Sequence, residues 1–369
     1  MFNKLKNNKP LKYTVITMTL LFAINGFILT TAFIGIKMHI FNDPGAVDYN
    51  DRFFQKTDND YTSLKSDTSK NEVSRIARFY SKLNVLNEFY PFNAQLIHKA
   101  YLQHNNIALA ERMLGAVNLN MIDSTKYNSK IQDCDLLFNR NNNCNRKNCN
   151  IFEWMNIVEW SDFKLSVIKD TALIDSAGKV TDVESRLIVS VLLGEQMRLF
   201  NSTREVYKKV ISPLKILSVE ANFALGVTGI KEEAAINAER YLKDSTAIFY
   251  PGKKYVHLLD FSTSDTKTER YNRLVNYRNH YYSYLYAAVI LKEIRQQWKR
   301  SGFDISNRPE ILATLYNVGY AMSIPKANPS VGGSTVVINE KNYTFGALAY
   351  EFYYSGEMLE LFPFEPNNW

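Results

Sequence analysis

The sequence predicts a mainly α-helical protein with a small β-hairpin near its C-terminus, preceded by one transmembrane helix and a helical subdomain. Three observations carry that expectation. Apolar residues recur three and four positions apart, as in Ile76, Phe79, Tyr80 and Leu83 or Leu187, Ile188, Val191 and Leu192. Only 15 Gly and 10 Pro accompany 23 Tyr and 22 Phe, which argues against disorder or a collagen-like repeat. Alternation of the strand kind stands out at Thr335-Val336-Val337-Ile338 and Tyr343-Thr344-Phe345, flanking Asn339 to Asn342.

The elements follow in order. Residues 1–12 form a short tail bearing Lys4, Lys6, Lys9 and Lys12, and no charged residue occurs from Tyr13 to Ile36. A helix over 13–36 is long enough to cross a hydrocarbon core of about 30 Å. The lysine excess before it places the tail in the cytosol and everything after residue 37 outside. A cleaved signal peptide is the competing expectation, but its apolar region is normally shorter and ends in a small-x-small site that is missing here.

Residues 37–74 are polar, include Asp43-Pro44-Gly45, and read as a spacer. Helical spacing then runs through Ile97, Ala100 and Tyr101 and again through Ile107, Ala110 and Leu114, so 75–150 reads as a helical subdomain. Its end is an Asn-rich loop carrying Cys134, Cys144 and Cys149. Outside the cytosol two of the three cysteines can close a disulfide, with three free thiols as the alternative.

A larger helical domain is expected over 151–330. Asp182 is a candidate N-cap for a helix reaching Phe200, with Glu184 in its first turn. Further helices are expected at 202–211, 230–243, 276–300 and 308–322, the last started by Ser306 or Asn307 with Pro309 and Glu310 behind it. The C-terminal part, 331–369, holds the hairpin and a final helix from Ala347 to Glu357.

The formal charge of +7 suits nucleic acid, anionic lipid or an anionic polymer such as a cell wall. Lys and Arg are scattered rather than clustered among aromatics, so nucleic acid is not expected as a partner. No phosphate-loop or dinucleotide motif occurs, and the five His show no metal-ligand spacing; no cofactor and no metal are expected.

Chemistry is expected at Glu195. It continues the apolar stripe of its helix, where a carboxylate costs free energy unless it is protonated or paired. A protonated acid suits general-acid catalysis; the plainer alternative is a Glu that reaches solvent or pairs with Arg198. Downstream, Gly226 and Gly229 punctuate Leu225-Gly226-Val227-Thr228-Gly229-Ile230-Lys231, allowing close backbone approach to a ligand, or simply an ordinary turn. Tyr316 continues the stripe of Leu312 and Leu315, and Asn317 beside it can orient an amide or a sugar hydroxyl. Tyr281, Tyr282, Tyr284 and Tyr286 offer either sugar stacking or core packing.

The order Gly194-Glu195-Gln196, then Gly226-Val227-Thr228-Gly229-Ile230-Lys231-Glu232, then Thr314-Leu315-Tyr316-Asn317-Val318-Gly319 resembles the lytic transglycosylase and goose-type lysozyme superfamily. The likeness spans residues 180–325. It implies a lysozyme-like helical core over 151–330, with Glu195 catalytic and Gly226, Gly229, Ile230, Lys231, Tyr316 and Asn317 binding substrate. It also implies cleavage of the β-1,4 bond between N-acetylmuramic acid and N-acetylglucosamine, with peptidoglycan glycan strands as partner and the bacterial inner membrane as the site of anchoring.

The sequence departs from the family's pattern at three places: Gln196 stands where a Ser is usual, and Lys231 and Glu232 stand where Met and Gln are usual. Glu220, Glu232 and Asp260 are the candidates for a second acid, but the family's motifs call for none of them. One acid favours the anhydro-forming route. The rival expectation is a non-catalytic envelope protein of the same fold that binds glycan or a membrane partner.

Overall fold

The structure, a computed structural model, describes residues 17–20, 23–24, 26–27, 70–120, 150–200, 225–339 and 341–365. The segment expected to cross a membrane lies largely outside these; its described residues are helical and exposed. Among the described residues no helix is long and apolar enough to cross a membrane. The three cysteines, the spacer up to residue 69, the expected helix at 202–211 and Glu220 also lie outside them.

The described protein is mainly helical. It comprises α1 (Lys70–Phe89), α2 (Pro91–His104), α3 (Ile107–Asn118), α4 (Val158–Lys169), α5 (Thr171–Thr181), α6 (Ser185–Phe200) and α7 (Glu232–Lys243). These are followed by α8 (Thr266–Leu274), α9 (Tyr281–Arg300), α10 (Pro309–Val318), strands β1 (Thr335–Ile338) and β2 (Lys341–Thr344), and α11 (Phe345–Ser355).

Local chemistry explains the boundaries. Pro91 and Pro309 occupy first-turn positions, where a missing N–H leaves nothing unsatisfied. Asn106 caps α3 by accepting from the Leu109 amide, and Thr344 caps α11 by accepting from Ala347. The strands pair antiparallel with Val336 opposite Tyr343, and Asn339 at φ 48° turns the chain between them.

Asp182 serves the end of α5 rather than the start of α6. It adopts the left-handed conformation at φ 51°, and its carboxylate accepts from Lys254 and Tyr255. The helix expected at 276–300 begins only at Tyr281, because Asn276 and Asn279 bind nearby backbone amides in a turn. Arg308, not Ser306 or Asn307, precedes α10.

From residue 70 onward the described residues belong to one compact unit, so the described residues 75–120 and 341–365 share it with the central helices. Buried Glu351 of α11 explains much of this: it accepts from Asn120 beyond α3 and from the Trp154 indole. Arg186 ties α6 to the C-terminal segment. Its fully buried guanidinium donates to the carbonyls of Phe352, Tyr353, Glu357 and Phe362, and lies over the rings of Phe352 and Phe364. Burial draws its pKa down to about 10.

Helix α6 is enclosed by α11, α5, α10 and β1, and Leu187 through Leu193 are all buried. A helix apolar on every side is the mark of a core position. Its last turns deliver Glu195 to the inside of the unit.

Candidate active site

Glu195 is 2 % exposed, and its two carboxylate oxygens have separate partners. Oε2 pairs with Arg198 Nη2 at 2.6 Å, one helical turn on. Oε1 accepts from the Asn317 side-chain amide at 3.4 Å, a long bond. The sequence weighed a proton-holding acid against a Glu paired with Arg198; the structure displays the ion pair.

Asn317 is oriented from its other side. Its oxygen accepts the Ser334 amide at 2.7 Å, so its nitrogen faces Glu195. Gly333 makes this approach possible: a Cβ there would lie 3.0 Å from the Asn317 oxygen and 2.8 Å from Phe345. No local pattern could have announced that Ser334 holds Asn317, since the pair is 17 residues apart.

The glycine segment closes as a tight turn. Leu225 and Ile230 exchange both backbone hydrogen bonds, at 2.7 and 3.1 Å, across Gly226 to Gly229. Gly226 and Gly229 both take positive φ, 68° and 63°, a region costly for residues with a Cβ. Neither has room for one: at Gly229 it would fall 2.2 Å from Glu195 Oε2, and at Gly226 2.2 Å from the Leu274 carbonyl. The backbone of the turn therefore lies directly against the acid.

Tyr316 completes the arrangement. Its hydroxyl donates to the Thr228 carbonyl at 2.8 Å, within the glycine turn, and the Thr228 hydroxyl donates to the Ser283 carbonyl. Burial and the neighbouring Glu195 charge push the Tyr316 phenol well above its ordinary pKa, so it acts as a neutral hydrogen-bond donor. Gln196 donates to the Val227 carbonyl at 2.7 Å, which pins the same turn to α6.

Two expected binding residues have other placements. Ile230 is buried, and both its backbone groups are spent on Leu225, so it has nothing to offer a ligand. Lys231 is exposed at the start of α7, and Glu232 beside it pairs with Arg270 at 3.8 Å. Asp260 pairs with Lys243 and His257. The tyrosines of α9 follow the core reading: Tyr284 and Tyr286 are buried and donate to Asp170 and Glu239.

A groove of about 280 Å³ opens beside this centre. Ile311, Leu315 and Val318 of α10 line it together with Ile324, Pro329 and Gly333, the residue packed on Asn317. Lys326 lies on its lining and is exposed. Among the described residues no cluster of His, Cys, Asp and Glu could hold a metal ion.

Chemically, the centre offers an enclosed carboxylate, a fixed amide donor, a neutral phenol and a close-packed backbone turn. Such a set can move a proton at a bound ligand once the ligand reaches Glu195. No family model, curated protein or solved structure matches this chain.

Proposed function

We propose that this chain is a membrane-anchored, lysozyme-like enzyme that cleaves the β-1,4 bond between N-acetylmuramic acid and N-acetylglucosamine in peptidoglycan. The observation that supports it is the meeting of three segments far apart in sequence around one acid: Gly229 packs on the Glu195 carboxylate, Asn317 donates to it, and Tyr316 holds the glycine turn. Those are the three segments on which the resemblance rests.

In this reading Glu195 protonates the leaving oxygen of the glycosidic bond. It then takes the proton of the muramoyl C6 hydroxyl as that oxygen closes on C1, leaving a 1,6-anhydro end. Water in place of the C6 hydroxyl would give hydrolysis, but the usual hydrolytic scheme needs a second carboxylate. Glu232 and Asp260 are engaged with Arg270 and Lys243. Asn317 positions Glu195 or an acetamido group, and the groove past Gly333 receives a neighbouring part of the strand.

Anchoring through residues 13–36, with the catalytic unit outside the cytosol of a bacterial cell, would place the enzyme where its substrate is. The test is digestion of isolated sacculi by the full-length chain, with separation of the released muropeptides. Anhydro-muropeptides from the wild type and none from Glu195→Gln support the mechanism; equal release by both excludes it.

A second reading has one observation in its favour, the Glu195–Arg198 ion pair, which occupies the oxygen that would carry the proton. It makes the unit a non-catalytic envelope module that binds glycan or a protein partner. Binding to sacculi without any soluble product, unchanged in Glu195→Gln, would select it.

A further inference from the structure

The groove beside the candidate active site has a chemistry of its own. Val318 and Ile324 line it while 50 % and 83 % exposed, so two large apolar side chains form a patch rather than scattered points. Two of its hydroxyls are already engaged: Thr314 donates to the Glu310 carbonyl and Ser323 to Gln297. A sugar ring carries a hydroxyl or ether oxygen at every position and would find few side-chain partners there, and polar groups buried without partners are costly.

Main chain is available instead. The Ser323 carbonyl accepts from Gln297 at 2.8 Å, and the Gly332 amide donates to Thr314 at 3.0 Å, so the segment between them is fastened at both ends. Residues 324–331 form neither helix nor strand, and their backbone groups make no hydrogen bond among the described residues. Ile324, Lys326, Pro329, Ser330 and Val331 of this segment line the groove. An extended peptide can pair with unpaired backbone of this kind while its side chains enter apolar pockets.

Charge narrows the ligand further. Lys326 is the one charged residue in the lining, is exposed, and has no ion pair among the described residues. The groove therefore suits a short peptide that carries small apolar side chains and a free carboxylate. Its volume of about 280 Å³ lies just under the range of clefts that enclose a small molecule, about 300–1,000 Å³, and fits part of a longer ligand.

We propose that the groove binds the peptide branch carried by muramic acid, with its apolar lining on alanine methyls and Lys326 on a carboxylate of the branch. This rests on the glycan-cleaving reading above and deepens it. The branch leaves the same sugar whose C1 reacts, and Gly333 lines the groove while packing on Asn317, the donor to Glu195. Peptide-bearing glycan is then the preferred substrate over glycan stripped of its peptides.

The experiment is a calorimetric titration of the full-length chain with acetyl-L-Ala-γ-D-Glu-meso-diaminopimelyl-D-Ala, with the same peptide amidated at its carboxyl groups, and with chitotetraose. The acidic peptide is expected to bind about tenfold more tightly than the amidated one or better, a discrimination worth about 1.4 kcal/mol. Lys326→Glu should remove that preference, and Ile324→Asp should weaken the acidic peptide by a similar factor. Both positions are exposed, and melting temperatures check that the variants fold.

No binding of the acidic peptide, equal binding of its amidated form, binding that either variant leaves unchanged, or tighter binding of chitotetraose overturns the proposal. Sacculus digestion by the wild type is a separate arm. Peptide binding without release of anhydro-muropeptides would remove the enzymatic reading and leave the peptide groove standing; release without peptide binding would do the reverse.

Discussion

Asn317 donates to Glu195 Oε1 while its own oxygen is held by the Ser334 amide, so the orientation of one side chain is set by a residue on the far side of it. Replacing Asn317 by Asp keeps the acceptor for Ser334 but puts a second carboxyl group beside Glu195. Under the proposed function, Asn317→Asp should lower glycan cleavage about 100-fold, as misplacement of a reacting group does. Asn317→Ala should lose a similar amount but also weaken the hold on Ser334. Initial rates on sacculi, with melting temperatures of all three proteins, check both statements.

The glycine turn gives a sharper separation of fold from site. Gly229→Ala places a methyl 2.2 Å from Glu195 Oε2 in addition to straining a backbone at φ 63°. Gly302→Ala is the matched control: φ is 83°, but nothing lies within 4 Å of the added Cβ. The control should lose about 1 to 2 kcal/mol of stability from the left-handed backbone alone. Gly229→Ala should lose more than that and, under the proposed function, also abolish cleavage; equal losses in denaturant titration would mean that Glu195 simply moves aside.

Much of this was legible in the sequence, and the misses share a cause. Helical periodicity located α6, α7, α10 and the hairpin because each carries its own apolar face or strand alternation. The three segments around Glu195 were also legible, since each is a short local pattern. Asp182 was misplaced because an αL residue ending one helix and an N-cap starting the next use the same residue types. The burial of Ile230 was not legible, because membership in a motif does not reveal which way a side chain points. The roles of Ser334 and of Arg186 depend on partners far along the chain, for which sequence offers no local signal.

Arg186 carries the second stability prediction. Its guanidinium serves four backbone carbonyls around the end of α11, groups a helix terminus cannot satisfy by itself. Arg186→Met fills similar space and removes a buried charge, but leaves those acceptors without their donor. Each buried unsatisfied carbonyl costs about 1 to 3 kcal/mol, so a loss of about 3 kcal/mol or more is expected. Arg186→Lys should recover part of it through one or two bonds. Urea unfolding of the three proteins decides; an unchanged midpoint for Arg186→Met would mean that water or rearrangement replaces the guanidinium.

A last prediction concerns pH and a carboxyl outside the candidate site. Glu293 on α9 is completely buried, accepts from the Tyr320 hydroxyl, and leaves its other oxygen without a partner. Burial raises its pKa well above the ordinary range. The folded protein therefore keeps a proton that the unfolded chain releases above about pH 4.3. Where the unfolded state binds fewer protons, stability falls as pH rises. Glu293 thus contributes its full stability below the ordinary Glu range, and that contribution drains away on going up towards its folded pKa. Glu293→Gln has the shape of the neutral acid and no proton to lose. Relative to the wild type, its stability should improve steadily on going up from about pH 4 towards the raised folded pKa of Glu293, whatever the offset between the two at pH 4. Parallel stability curves for the two proteins across that interval would show that Glu293 is not held protonated in the fold.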